Sequence, residues 1–79
     1  MQTLVNEISG RPGSGDSLSP RERQVLQLVA DGFENKQIMT ELRLSEGTVK
    51  TYLRGIFSKL DVASRAEAVA VGLRRGLID

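Results

Sequence analysis

The segment 45–60 places the tightest limit on how this chain folds. Its apolar residues recur every three or four positions, which is the spacing of one side of an α-helix. They are Val49, Leu53, Ile56, Phe57 and Leu60. The opposite side is small, hydrogen-bonding and cationic. This pattern predicts an amphipathic helix over about 46–60, whose outer side is either simply solvated or suited to a polar partner such as nucleic acid.

Two serine-led sequences mark the first and last helices. Ser19-Pro20-Arg21-Glu22 supplies an N-cap hydroxyl, a proline at the first helical position and a glutamate three residues after the cap. Ser64-Arg65-Ala66-Glu67 forms a second capping box. Glycine is typical of helix ends because it adopts the left-handed conformation readily. We therefore predict one helix ending at Gly32 and another running to about Arg75, with Gly76 as its stop.

A short helix is expected between these two. Asn35 is the predicted N-cap, and the helix should end near Leu42. Arg43 and Leu44 then lead to Ser45, the expected cap of the helix over 46–60. Two helices joined this closely resemble a helix-turn-helix, although an ordinary helical hairpin has the same spacing. No strand pattern is present, so the predicted fold class is all-α with four helices. The apolar positions expected inside the first two helices are Val25, Leu26, Leu28, Val29, Ile38, Met39 and Leu42.

Composition excludes several classes of protein. The chain has no Cys and no His, which excludes disulfides, thiolate or imidazole metal sites and Ser–His or Cys–His nucleophile pairs. No apolar run approaches the roughly 20 residues that a membrane span needs, and the N-terminus lacks the layout of a signal peptide. We expect a cytosolic protein that is not an enzyme, binds no metal or other cofactor and has no membrane partner.

Charge is distributed unevenly, although the net charge is only +1. Residues 43–59 contain Arg43, Lys50, Arg54 and Lys59 against Glu46 alone. A locally basic helix on a nearly neutral domain is expected where one side faces phosphates. Chance clustering on a solvated face remains the alternative.

The first 17 residues differ in composition from the rest. Residues 10–17 are rich in Gly, Ser and Pro, which predicts a flexible linker or arm over 1–17 before a domain over 18–79. Leu4, Val5 and Ile8 have the spacing of a short helical turn. That turn fits the end of a preceding domain, an extension of this one, or an arm that becomes ordered on a partner.

Several motifs in fixed order resemble the LuxR/FixJ/GerE-type helix-turn-helix domain. They are Leu18–Leu26, Asn35–Ile38, Leu44–Lys50, Lys59–Val62 and Ser64-Arg65. The resemblance covers about residues 18–79 and implies a four-helix DNA-binding domain of bacterial transcription regulators. It further implies double-stranded DNA as the partner, usually an inverted repeat bound by a homodimer that forms through the fourth helix. RNA polymerase is a candidate further partner. The rival hypothesis is a protein-interaction module that binds a partner regulator with the same fold.

The same resemblance implies roles for individual residues. The base-contacting positions are Lys50, Thr51 and Arg54. The positions that contact the DNA backbone are Lys36, Ser45, Thr48, Tyr52 and Arg65. The chain departs from the family's commonest residues at Met39, Tyr52 and Asp61, where a small residue, His and Gly are frequent.

The chemistry of the base-contacting residues fits that assignment. The planar guanidinium of Arg54 is able to bond two acceptors of one guanine. Lys50 reaches either a base or a phosphate, and Thr51 offers both a hydroxyl and a methyl group that suits thymine. Gly47 allows close approach of the helix N-terminus, whose partial positive charge suits a phosphate.

The fourth helix carries two faces of small or apolar residues. The face predicted to point inward consists of Ala66, Val69, Ala70 and Leu73. The opposite face consists of Ala68, Val71, Gly72 and Arg75, and the resemblance favours it as a homodimer interface. The alternative is an ordinary surface, since single exposed apolar residues are normal on monomers.

Overall fold

A computed structural model describes residues 18–79, which form four α-helices without a β-strand. The helices are α1 (Pro20–Ala30), α2 (Asn35–Leu42), α3 (Glu46–Leu60) and α4 (Arg65–Arg74). The predicted all-α, four-helix class is confirmed for this part of the chain. The predicted linker or arm over 1–17 lies outside the described residues. Of the helices in the described part, none is long and apolar enough to cross a bilayer.

Serine side chains cap three of the four helices, as predicted. Ser19 Oγ accepts from the Glu22 amide at 3.1 Å, and the Glu22 carboxylate accepts from the Ser19 amide at 2.8 Å. Ser64 Oγ accepts from the amide of Glu67 at 3.2 Å, but the predicted capping box is not completed, because Glu67 Oε1 accepts from the amide of Ala63 at 2.9 Å. Each bond satisfies an amide that the first helical turn leaves without a partner. The third serine cap, at α3, is part of the candidate interface described below.

The start of α2 differs by one residue from the prediction. Glu34 is the N-cap, and its amide donates to Gln37 Oε1 at 2.8 Å. Asn35 is the first residue of the helix, and its side chain bonds to Arg65. The prediction of Asn35 as the cap is wrong: its side-chain oxygen Oδ1 accepts from Arg65, 30 residues away, instead of from an amide of the first turn.

The core forms where α1 and α3 pack against each other and α4 closes over both, while α2 packs on α3. α3 supplies Val49, Leu53, Ile56 and Leu60, which are all buried as predicted. Phe57 is half-buried at the edge. The buried apolar residues of the remaining elements are Leu18, Val25, Leu26, Ile38, Ala68, Val71 and Ile78. Because its apolar side anchors α3 in this core, the opposite side of the helix faces solvent.

The faces of α4 are the reverse of the prediction. Ala68, Val71 and Gly72 are buried, whereas Leu73, predicted inside, is 50% exposed. The other residues predicted inside are Ala66 and Ala70, which are exposed, and Val69, which is half-buried. The assignment of Ala68, Val71 and Gly72 to a homodimer interface is therefore wrong, since they lie in the core of a single chain. Arg75, the fourth member of that face, is exposed.

Close packing around Gly72 explains the reversal. A Cβ built there would lie 2.9 Å from Leu26 Cδ2 and 3.1 Å from Ile78 Cγ1, so only glycine fits without movement. Residues after α4 fold back: Ile78 is 7% exposed, and the Asp79 backbone exchanges two hydrogen bonds with the Gln27 side chain. Small residues face inward on α4 because α1 and this C-terminal segment leave no room for larger ones.

Candidate nucleic-acid interface

The N-terminal turn of α3 is held by hydroxyl groups. Ser45 Oγ accepts from the Thr48 amide at 3.2 Å, and the Ser45 and Thr48 hydroxyls lie 2.9 Å apart in a hydrogen bond. Ser45 is exposed and Thr48 is half-buried. The turn therefore presents capped but accessible polar groups at the positive end of a helix of 15 residues.

The three predicted base-contacting residues share the exposed side of α3. Lys50, Thr51 and Arg54 are all exposed, while Val49 and Leu53 beside them lie in the core. This arrangement leaves the side chains free to meet a partner without unpacking the domain.

Lys50 and Arg54 differ in how free their charges are. Lys50 Nζ lies 3.5 Å from Glu46 Oε2, and both side chains are more than half exposed, so water and salt weaken this ion pair strongly. Arg54 makes no hydrogen bond or ion pair with any residue of 18–79. Arg54 therefore carries the least encumbered positive charge on the exposed side of α3, and Lys50 can be released from Glu46 at small cost.

Thr51 is less free than the sequence suggests. Its Oγ1 donates to the Gly47 carbonyl oxygen at 2.9 Å, one helical turn earlier. Bonds of this kind are common for threonine within a helix and fix the direction of its side chain. An open groove beside it is lined by Ser45, Gly47, Thr48, Thr51 and Tyr52.

Two of the predicted backbone-contacting residues lie beside the start of α2. Lys36 is exposed in the first turn of α2. Arg65, at the start of α4, donates to Asn35 Oδ1 at 2.7 Å and to the Phe33 carbonyl oxygen at 2.9 Å. Arg65 thus joins α4 to the segment before α2, an internal role that no local sequence signal indicated. Tyr52, on the flank of α3, is half-buried.

The structure also reveals an ion pair that sequence reasoning missed. Glu22, only 8% exposed, accepts from Lys59 Nζ through Oε1 at 2.8 Å. Burial by itself would raise the pKa of the Glu22 carboxyl. The hydrogen bonds and charge supplied by Lys59 and Ser19 outweigh burial and hold that pKa below its usual value of 4.5. Lys59 therefore attaches α3 to α1 through this pair, although its side chain stays 42% exposed.

Gly55 lies directly over this ion pair. A Cβ at position 55 would lie 3.2 Å from Glu22 Oε2, which is closer than ordinary van der Waals contact. The glycine lets the carboxylate of α1 approach the backbone of α3. The sequence could not distinguish this role from simple tolerance of glycine, because it does not show that Glu22 packs against position 55.

Residues 16–71 match the family model described as "GerE: Bacterial regulatory proteins, luxR family". This chain belongs to the LuxR family. The family is one of DNA-binding transcription regulators and not a class of enzymes. The resemblance drawn from the sequence motifs is confirmed.

Relatives of this LuxR-family domain include response regulators. The Escherichia coli (strain K12) protein described as "Uncharacterized response regulatory protein YgeK" is 45% identical over 71 residues, covering 90% of this chain and 48% of YgeK. The chain thus spans less than half of that relative.

Solved structures of the family share the fold. The crystal structure of response regulator ChrA superposes with a TM-score of 0.79 and 40% identity, over 86% of this chain and 33% of ChrA. The structure of the transcription factor GerE gives a TM-score of 0.75 and 34% identity, over 78% of this chain and 92% of GerE.

One departure from the commonest LuxR-family residues has a visible consequence. Asp61 ends α3 in the left-handed conformation, with φ of 57°. Glycine adopts this conformation at no steric cost, whereas a residue with a Cβ is strained. Arg43, which ends α2, has the same φ.

Proposed function

We propose that this domain binds double-stranded DNA in a sequence-specific manner, with α3 in the major groove. One observation carries the proposal: the three candidate base-contacting side chains project from one exposed side of a helix whose other side is anchored in the core. The major groove of B-DNA is wide enough to admit one α-helix. A rigidly held helix with a free cationic face meets the geometric requirement for base readout.

Arg54 is the primary reader in this proposal. It has no partner among residues 18–79, so binding DNA breaks no bond between its guanidinium and that part of the chain. Its forked donors match the O6 and N7 acceptors of guanine. Lys50 exchanges its weak pair with Glu46 for a base or phosphate oxygen.

The remaining polar residues position the domain on the phosphates. Lys36, Ser45 and Thr48 lie at the N-terminal ends of α2 and α3, where helix dipoles and cationic side chains favour anions. Tyr52 contributes its hydroxyl from the flank of α3. Arg65 acts chiefly by fixing the segment before α2, and phosphate contact through its remaining donors is a secondary role.

A second copy of the domain binds through the exposed face of α4. Leu73 is the exposed large apolar residue of the described part of the chain, and Ala70 and Ala66 lie one and two turns before it on the same face. A two-fold dimer would match an inverted repeat in the DNA. Because these side chains are few and mostly small, we expect weak self-association without DNA.

Family membership alone supports two further expectations. A regulator that binds bacterial DNA works in the cytoplasm, and RNA polymerase is a candidate partner for the complete protein. Neither expectation depends on the geometry of α3.

The test of DNA binding begins with selection of preferred duplexes from a random library by the purified chain. Arg54→Ala should reduce discrimination at one base pair by about tenfold to 100-fold. Lys36→Ala should weaken binding to all sequences similarly and lower the slope of log affinity against log salt by about one. Arg23→Ala, which removes an exposed arginine of α1, is the matched control and should change neither quantity.

The opposite results would decide against the proposal. If the chain selects no duplex, or if Arg54→Ala and Arg23→Ala behave alike, α3 does not read bases. If Arg54→Ala abolishes binding to a protein partner but leaves DNA binding intact, the rival hypothesis of a protein-interaction module is favoured.

Leu73→Glu tests the dimer separately. The variant should bind a single half-site normally but lose cooperative binding to the inverted repeat, since an exposed side chain contributes little to folding. Unchanged cooperativity, measured by gel shift, would exclude this face as the dimer contact.

A further inference from the structure

Three hydroxyl groups at the N-terminal half of α3 make hydrogen bonds within the protein. Thr51 donates its hydroxyl proton to the Gly47 carbonyl oxygen at 2.9 Å. The hydroxyls of Ser45 and Thr48 bond to each other at 2.9 Å. With its proton used in this way, Thr51 keeps the two acceptor lone pairs of its hydroxyl and its methyl group for a partner.

Gly47 opens a notch beside that methyl group. A Cβ built at Gly47 meets no atom within 4 Å, so the space over this turn is empty in the described structure. Thr51 and Tyr52 line the same open groove. The surface beside Thr51 thus offers room and an apolar contact, while the hydroxyl proton of Thr51 itself is held in an internal bond.

We infer that this notch, formed by Gly47 and Thr51, selects thymine by contact with its C5-methyl group. Thymine is the base that presents a methyl group in the major groove, and threonine methyls are among the groups that contact it. This inference rests on the proposed function, since it requires α3 to lie in the major groove. It assigns Thr51 a steric and apolar role in place of hydrogen-bond donation.

The rise per residue of α3 predicts how far the thymine lies from the guanine that Arg54 reads. Thr51 and Arg54 are three residues apart, which corresponds to about 4.5 Å along the axis at 1.5 Å per residue. Neighbouring base pairs are separated by about 3.4 Å. The selected half-site should therefore contain the thymine within about two base pairs of the guanine that Arg54 reads.

Uracil substitution isolates the methyl group. In a duplex selected by the chain, each thymidine is replaced in turn by deoxyuridine, which differs by that single methyl. One replacement in each half-site should weaken binding about fourfold, which corresponds to the loss of one buried methyl group. The position should lie within about two base pairs of the one at which Arg54→Ala loses discrimination.

Two variants of Thr51 separate the methyl from the hydroxyl. Thr51→Val keeps the methyl and should retain both affinity for the thymidine duplex and sensitivity to uracil. Thr51→Ser keeps the hydroxyl and should lose about fourfold on the thymidine duplex, with no further loss on the uracil duplex. Thermal melting of each variant confirms that the fold is retained.

The outcomes distinguish this inference from the proposal on which it rests. Loss of binding by Thr51→Val with normal binding by Thr51→Ser would overturn it in favour of hydroxyl readout. Sequence preference without sensitivity to uracil at any position would overturn it and leave the proposed function standing. Failure of the chain to prefer any duplex would overturn both.

Discussion

α3 and α4 are both amphipathic helices that pack on α1, yet hydrophobic periodicity identifies the buried side of only one. On α3, large aliphatic residues alternate with polar and charged ones, so the two sides differ plainly in polarity. On α4, most side chains on either side are small or apolar, and distant residues decide which side is covered. Leu26 of α1 and Ile78 after the helix cover Gly72, and Leu73 is left exposed. Periodicity assigns a face reliably only when the two faces differ in polarity.

The largest expected effect is on the free energy of unfolding, and it distinguishes two large apolar residues near the end of the described chain, Ile78 and Leu73. Ile78→Ala should lower the free energy of unfolding by about 2–4 kcal/mol, because it leaves a cavity against Gly72. Leu73→Ala should change it by less than about 0.5 kcal/mol, since Leu73 is half exposed. Urea denaturation measures both. A larger cost for Leu73→Ala would restore the face assignment drawn from the sequence.

The same substitution should have opposite signs on the two helices. Gly72→Ala should destabilise the domain by about 1–3 kcal/mol, because the new methyl group collides with Leu26 and Ile78. Gly47→Ala meets no atom, so it should stabilise α3 by up to about 1 kcal/mol through helix propensity. Equal effects in thermal melting would show that packing at Gly72 is looser than described.

The ion pair between α1 and α3 gives a smaller, pH-dependent effect. Glu22→Gln should cost about 1–2 kcal/mol at pH 7, since the bond to Lys59 loses its charge while Lys59 stays partly solvated. Glu46→Gln removes the exposed pair with Lys50 and should cost less than about 0.5 kcal/mol. Chemical denaturation at neutral pH compares the two variants.

The pH dependence of that difference follows from the pKa of Glu22. Its folded-state pKa lies below the usual 4.5, so the charged carboxylate stabilises the folded state fully above pH 4.5. This contribution declines as pH falls through the lower, folded-state pKa. The stability gap between the native chain and Glu22→Gln should narrow in acid, and a gap independent of pH would mean that the ion pair contributes nothing.

The smallest effect concerns the end of α3. Asp61→Gly should stabilise the domain by roughly 0.5 kcal/mol, because relief of the left-handed strain exceeds the entropy that glycine adds to the unfolded chain. Asp31 ends α1 with φ of −80°, so Asp31→Gly should only destabilise. Destabilisation by both variants would show that the strain at Asp61 is negligible.

Much of the architecture was accessible from local sequence signals. The serine caps, the short connection after α2 and the apolar stripe of α3 are written in residues three or four apart, and each was predicted correctly. The exposure of Lys50, Thr51 and Arg54 follows from that stripe. Their contact with bases stays a prediction, because periodicity shows which side is exposed but not what it meets.

The features that the sequence did not predict all depend on contacts between residues far apart in the chain. The ion pair of Glu22 with Lys59 spans 37 residues, and the bond of Arg65 to Asn35 spans 30. The burial of Gly72 depends on α1 and on a segment beyond the helix. Such contacts are set by how the helices pack, which the spacing within any one helix does not reveal.

The most direct measurement is amide NMR of the labelled chain titrated with its selected duplex. The largest changes in chemical shift should fall on residues 45–58 and on Lys36, and the side-chain signals of Arg54 should be among them. Shift changes confined to the outer faces of α1 and α4, with α3 unaffected, would contradict the claim that α3 reads DNA.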